Sequence, residues 1–249
     1  EILKIKNLNL KIREKEILKN VSLEIKEGEV IGLIGESGSG KTIFTKYILG
    51  ILPLAAQYTQ ETFEVVPKVG AIFQNAFTSL NPTMKIGKQL KHLYVSHYGT
   101  QENWKEKIES LLEDVGLDKN RNFLDKYPYE LSGGEQQRIV IMGALIGEPS
   151  FLIADEVTTA LDVETKIEVV KFFKRLREKF KISILFITHD LSIRRQRQMC
   201  IRDRTHDLST LKNFADKIYV MYHGEIVDED HPYRKQLFQL SQDVWRRTK

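Results

Sequence analysis

The 249-residue chain is 41% hydrophobic and 29% charged, the balance of a globular protein able to bury a sizeable core in one large domain or a core with a subdomain. It has no run of 18 apolar residues and no signal-like apolar stretch at its start, so it is expected to stay in the cytosol and to meet a membrane only through a partner. One cysteine, Cys200, excludes an internal disulfide and an all-protein thiolate cluster, and the formal net charge of +4 matters less than where that charge sits.

In chain order, residues 1–12 alternate apolar and polar side chains and read as edge strands, and residues 21–25 alternate again. Glu27-Gly28 turns into a short β-branched run, 29–34, and residues 43–50 follow with helical spacing. Between strand and helix stands Gly35-Glu36-Ser37-Gly38-Ser39-Gly40-Lys41-Thr42. This is GxxxxGK[ST] in the strand–turn–helix setting that the pattern requires, a loop whose backbone N–H groups wrap phosphate oxygens. Gly35, Gly38 and Gly40 are expected to take backbone angles that a Cβ forbids. The helix turns its positive end to the anion, Lys41 reaches the β- and γ-phosphates, and Thr42 offers its hydroxyl to Mg²⁺. ATP and Mg²⁺ are thus the expected ligands.

Periodicity weakens over 51–67, with Pro53 and Pro67 as breaks, and 69–73 is the next strand, ending at Gln74. Residues 81–148 change character: 85–98, 102–115 and 135–146 read as helices interrupted by Gly99, Gly116 and Pro128. A buried strand at 151–154, an amphipathic helix at 165–180 and a buried strand at 182–187 imply a parallel sheet. Residues 217–221 and 225–227 form a hairpin around His223-Gly224. The expected fold is α/β, one domain with its core in 1–80 and 149–249 and a helical subdomain, 81–148, inserted between the halves.

Asp155 and Glu156 close the strand 151–154, at the carboxyl edge where sheet ligands bind. Asp155 is expected to hold Mg²⁺, directly or through water, and Glu156 to polarise the attacking water, because phosphoryl transfer asks the protein mainly to position groups and stabilise charge. Ser132-Gly133-Gly134 stands before a helix, with Ser132 as N-cap and Glu135 as its capping-box partner. The same turn makes a second phosphate site at a helix N-terminus. One nucleotide already held by loop 35–42 has no need of it, so a second subunit whose turn closes over the γ-phosphate is the economical solution.

The loop 35–42, Gln74, the stretch Leu131-Ser132-Gly133-Gly134-Glu135-Gln136-Gln137, Ala154-Asp155-Glu156, Ala160-Leu161-Asp162 and His189 occur in an order that resembles ABC transporter ATPases over nearly the whole chain. Phe73-Gln74-Asn75, Tyr127-Pro128-Tyr129-Glu130, Thr158-Thr159-Ala160-Leu161-Asp162 and His231-Pro232-Tyr233 look like the branch that serves importers of peptides, nickel and metal chelates. The resemblance implies a P-loop NTPase core with a small antiparallel β part, and a head-to-tail dimer, homomeric or heteromeric, sandwiching two ATP molecules. It implies that Gln74 senses Mg²⁺ and the attacking water while linking to transmembrane permease subunits. His189 would contact the γ-phosphate, and Asp162 would reach across the dimer. A peripheral place on the cytoplasmic membrane face, with an extracytoplasmic solute-binding protein as an indirect partner, follows from the same likeness. A soluble ABC-type ATPase acting on ribosomes or DNA, and a hydrolysis-impaired nucleotide-binding module, are the competing readings.

The sequence departs from that pattern in several places. Thr188-His189-Asp190-Leu191-Ser192 recurs as Thr205-His206-Asp207-Leu208-Ser209. Deleting 193–209 rejoins the chain in the family's form. The tract carries five arginines and two aspartates, hence three of the four net positive charges, and the only cysteine. It reads as a basic loop, as a tolerated insertion, or as translated adapter read-through joined to a duplicated end. The last reading is preferred, so the basic excess implies no nucleic-acid partner. His189 directly follows the strand and is the expected sensor, with His206 as fallback. Residues 42–74 are short for the branch, so the antiparallel part is expected to be trimmed. Ile12 occupies the position where the family stacks an aromatic on adenine, and Val157 stands where proline commonly follows the acidic pair.

Overall fold

Two sheets share an apolar layer. The computed structural model describes residues 1–73, 79–157, 163–189 and 214–247, with the backbone alone for 163–167, 189 and 240–247. In the first sheet, β1 (Leu3–Ile12) pairs antiparallel with β2 (Lys15–Ile25) on one side. On its other side it pairs with β4 (Ala56–Thr59) and β5 (Thr62–Val65). The first strand is therefore central, not an edge. The stretch that pairs its far side was hard to read because three of the four β4 side chains are exposed, so little apolar alternation marks it. The antiparallel part is small, as expected, but it is present.

The second sheet runs β10-β9-β3-β8-β7-β6. Here β3 (Val30–Gly35), β6 (Val69–Ile72), β7 (Phe151–Asp155), β8 (Ser183–His189) and β9 (Lys217–Tyr222) are parallel, and β10 (Glu225–Val227) returns antiparallel to β9. The turn between β9 and β10 takes positive φ at both His223 (46°) and Gly224 (84°), the geometry that matches the twist of a two-residue hairpin. Parallel neighbours need crossovers, and helices supply them.

The described α-helices are α1 (Lys41–Ile48), α2 (Ile86–Tyr98), α3 (Trp104–Asp114), α4 (Gly133–Leu145) and α5 (Val163–Phe180), which lie between strands, and α6 (Pro232–Arg247), which follows the last one. Gly99 in the left-handed region ends α2 (φ 69°), a stop that a Cβ would strain. The last helix, α6, is not among the elements read from the sequence. Pro232 opens it, where a missing N–H costs nothing, and Tyr233 and Leu237, one turn apart, are buried.

Period-two alternation along the parallel strands splits the core in two. Ile31, Leu33, Phe151, Ile153, Leu185 and Ile187 face the antiparallel sheet together with Phe44 of α1. Val30, Ile34, Leu152, Ala154, Ile184 and Phe186 face the other way, into the core shared with α2 to α6. With both faces covered, the strands read as continuous apolar runs. Polar and reactive groups are left to the carboxyl ends of the strands.

Candidate functional site

At the carboxyl end of β3 the chain enters loop 35–42. The Lys41 side chain folds back over it, its Nζ donating to the carbonyls of Gly35 (2.6 Å) and Glu36 (2.9 Å) and lying 3.5 Å from Ser39 Oγ. Lys41 and Ser39 are each 4% exposed, so a charged ammonium sits within the bowl of the loop. Thr42, one residue on, is exposed at the first turn of α1. Gly38 (φ 83°) and Gly40 (φ 111°) adopt the left-handed angles expected of them. Gly35 does not; its constraint is proximity. A Cβ there would stand 2.2 Å from the carbonyl oxygen of Met221 and 2.8 Å from Ser39 Oγ, because β9 runs alongside. The hairpin tip supports the loop as well, with Gly224 N–H donating to Ser39 O (2.9 Å) and Lys19 N–H to Gly224 O (2.8 Å). The hairpin was legible in the sequence; that it buttresses the phosphate loop was not.

Two strands away, Asp155 ends β7 and Glu156 begins the turn, 5% and 6% exposed. Glu156 holds φ 57°, an uncommon angle for a non-glycine residue, and its N–H donates to Ile187 O of β8 (2.8 Å). Burial pushes its carboxyl above the usual carboxylate range, and the Lys41 ammonium pulls it back. A carboxylate that feels the phosphate-loop lysine is placed to act beside whatever the loop binds. His189 is the last residue of β8 and its Cα pairs with that of Gly35, so its backbone lies beside the start of the loop. Gln74, Asp162, His206 and the whole tract 193–209 lie outside the described residues.

Ser132 caps α4 as the sequence suggested. Its Oγ accepts from Glu135 N–H (3.3 Å), and Glu135 Oε2 accepts from Ser132 N–H (2.9 Å). That amide, assisted by the Arg121 guanidinium and opposed by burial, holds the Glu135 carboxyl below its ordinary value. The next two side chains act differently. Gln136, 8% exposed, donates its Nε2 to Pro128 O (2.8 Å) and Leu131 O (3.2 Å), while Gln137 Nε2 donates to Val157 O (2.8 Å). Ser132, Gly133 and Gly134 are exposed, and a Cβ on Gly134 would meet nothing within 4 Å.

The residue set suits a nucleoside triphosphate with Mg²⁺. Mg²⁺ takes oxygen ligands, commonly one or two carboxylates completed by phosphate and water. Thr42 and Asp155 are such donors, and among the described residues no three His, Cys, Asp or Glu side chains form a cage that would hold a metal by themselves. Ile12, partly buried, ends β1 opposite Ala56 and packs with the core between the sheets. Val157, 6% exposed, is packed into the core shared with the helices.

Comparison with known proteins gives a consistent result. The family model of the ABC transporter matches residues 18–159. The chain is 34% identical over 265 residues to the oligopeptide transport ATP-binding protein OppD of Bacillus subtilis, covering 93% of this chain and 69% of that protein. It is 36% identical over 236 residues to AmiE of Streptococcus pneumoniae, also an oligopeptide transport ATP-binding protein, covering 83% and 61%. To the dipeptide transport ATP-binding protein DppD of Lactococcus lactis it is 32% identical over 252 residues, covering 92% and 67%. It thus spans between 61% and 69% of the length of these relatives. Among solved structures, CbiO1 of Clostridium perfringens, part of the transporter complex CbiONQ, superposes with a TM-score of 0.73 at 24% identity over 99% of this chain and 93% of that one. The ATP-binding cassette MJ0796, dimeric and bound to ADP and phosphate, gives 0.67 at 25% identity over 91% and 97%.

Proposed function

The chain belongs to the ABC transporter family, and we propose that it is the ATP-hydrolysing subunit that energises an importer of peptides, with nickel or a metal chelate as the other solutes of the same branch. The observation that carries this reading is the convergence at one sheet edge. Loop 35–42, its buried lysine, the Asp155-Glu156 pair and the end of β8 all meet at the carboxyl ends of β3, β7 and β8, where α/β sheets bind their ligands. Lys41 and the loop amides hold the β- and γ-phosphates. Thr42 and Asp155 would hold Mg²⁺, which when bound would neutralise phosphate charge. Glu156, buried and within the field of Lys41, orients and polarises water for attack on the γ-phosphate.

The exposed Ser132–Gly134 turn supplies the other wall of a partner subunit's site. Ser132, Gly133 and Gly134 present a hydroxyl and backbone amides at the N-terminus of α4, with open space in front of Gly134. Gln74, Asp162 and His189 keep the roles that their motifs imply. Two chains, the same or different, close over two ATP molecules, and opening follows hydrolysis.

Permease subunits dock on the helical side. Phe73 and Leu93, 40% and 43% exposed, border a groove of about 590 Å³ that Leu80, Met84 and Val140 also line. Exposed apolar surface that includes Phe73, the residue before Gln74 in the sequence, marks a contact site. No described helix is long and apolar enough to cross a membrane. In this reading the subunit works from the cytoplasmic face through that contact, and a solute-binding protein delivers cargo from the far side. The test is ATP-dependent peptide uptake by vesicles holding this chain and the permeases encoded beside it. Uptake that proceeds equally without ATP would reject the assignment.

A further inference from the structure

We propose that Gln137 is a positioning residue that ties the orientation of the catalytic turn to the orientation of α4; this rests on the hydrolytic role proposed above for Glu156. Three consecutive side chains leave the first turns of α4 toward three partners. Glu135 closes the cap on Ser132, Gln136 clasps the carbonyls of Pro128 and Leu131, and Gln137 reaches the carbonyl of Val157. The Ser132–Gly134 turn is therefore fixed to its own helix, and the helix is fixed to the residue after Glu156.

Two backbone anchors bracket the catalytic turn. On its strand side, Glu156 N–H is held by Ile187 O of β8 (2.8 Å). On its far side the Val157 carbonyl is held by the Gln137 amide (2.8 Å), and the Val157 side chain is buried in the core that α4 shares. Glu156 sits between these two anchors with φ 57°, an angle that persists only where the surroundings over-determine it. Any rotation of α4, whether from a ligand at Ser132–Gly134 or from a partner on the helical side, pulls on Val157 O and re-aims the neighbouring carboxylate. Arg138 extends the linkage the other way, donating to Val115 O at the end of α3 (2.7 Å) and stacking over Phe172 of α5 (5.6 Å).

Methionine matches glutamine in length and helix propensity but cannot donate; lysine keeps a donor. Gln137→Met is expected to lower kcat for ATP about two- to tenfold, the worth of one neutral hydrogen bond, with KM for ATP and binding of a fluorescent ATP analogue unchanged and Tm lowered by no more than about 2–4 °C. Gln137→Lys is expected to retain more of kcat than Gln137→Met. Parental kcat in Gln137→Met would overturn the proposal. So would equal losses of kcat, nucleotide affinity and Tm, since those describe a merely structural contact, or no advantage of lysine over methionine. Absence of ATP turnover in the parent chain would instead overturn the hydrolytic reading on which the proposal rests.

Discussion

Replacing Glu156 by glutamine removes one negative charge and one proton acceptor from a side chain that is 6% exposed. The shape is kept, and so is the backbone bond to Ile187. If the carboxylate polarises the attacking water, kcat falls by the worth of a positioned general base, about 10² to 10⁴-fold, or about 2.7 to 5.4 kcal/mol of barrier. ATP affinity holds, because Lys41 and the loop amides are untouched. The pH dependence adds a second reading. Burial raises the pKa of Glu156 and Lys41 only partly offsets it, so the parent's kcat should rise with pH through a value above that of an exposed glutamate, and this acid limb should vanish in the variant. The stability sign is opposite. A carboxyl whose folded pKa is raised contributes most below its unfolded pKa and loses that contribution as pH rises through the folded one. Glu156→Gln should therefore melt higher than the parent at neutral pH, with the gap closing on acidification. Steady-state phosphate release and thermal melts between pH 4 and 8, a span covering the carboxylate range, read both effects. Hydrolysis within about tenfold of the parent, short of what a general base contributes, would refute the role given to Glu156.

Two glycines separate constraints inside the chain from constraints outside it. Gly35→Ala drives a Cβ to 2.2 Å from a backbone oxygen of β9 and should leave little folded protein in a solubility assay, whereas Gly134→Ala meets nothing within 4 Å and should melt like the parent while losing ATP turnover. Tyr47 lies 5% exposed under Tyr58 and Phe63 with a hydroxyl that has no hydrogen-bond partner among the described residues, and burial pushes its pKa up to about 12. Tyr47→Phe should remove a desolvated hydroxyl at a gain of about 1 kcal/mol, seen as a rise in Tm of about 2–4 °C.

Much of this fold is legible because its signals are local. The parallel strands show as apolar runs since both their faces are buried, and the capping box at Ser132 shows since donor and acceptor are three residues apart. Loop 35–42 is read from eight consecutive residues. What escaped the sequence depends on contacts between distant segments. Gly35 is needed for β9, not for its own φ, and 186 positions separate it from Met221, the residue it would strike. The centrality of β1 is decided by β4 and β5, whose rim position leaves them without an apolar pattern. Gln137 looks like any polar residue on a helix until the turn after β7 is placed against it. In the same way, the second half of the proposed nucleotide site is half visible: the Ser132–Gly134 turn is plain, but on the proposed reading its ligand belongs to another chain.

On the proposed reading, each ATP is hydrolysed between loop 35–42 of one chain and the Ser132–Gly134 turn of another. The most direct measurement is phosphate release at saturating ATP as a function of protein concentration. Two half-sites that meet only on association predict specific activity that climbs with concentration and then levels, and predict that chains carrying Lys41→Ala and chains carrying Gly134→Ala regain activity when mixed. Specific activity independent of concentration, with no recovery on mixing, would contradict it.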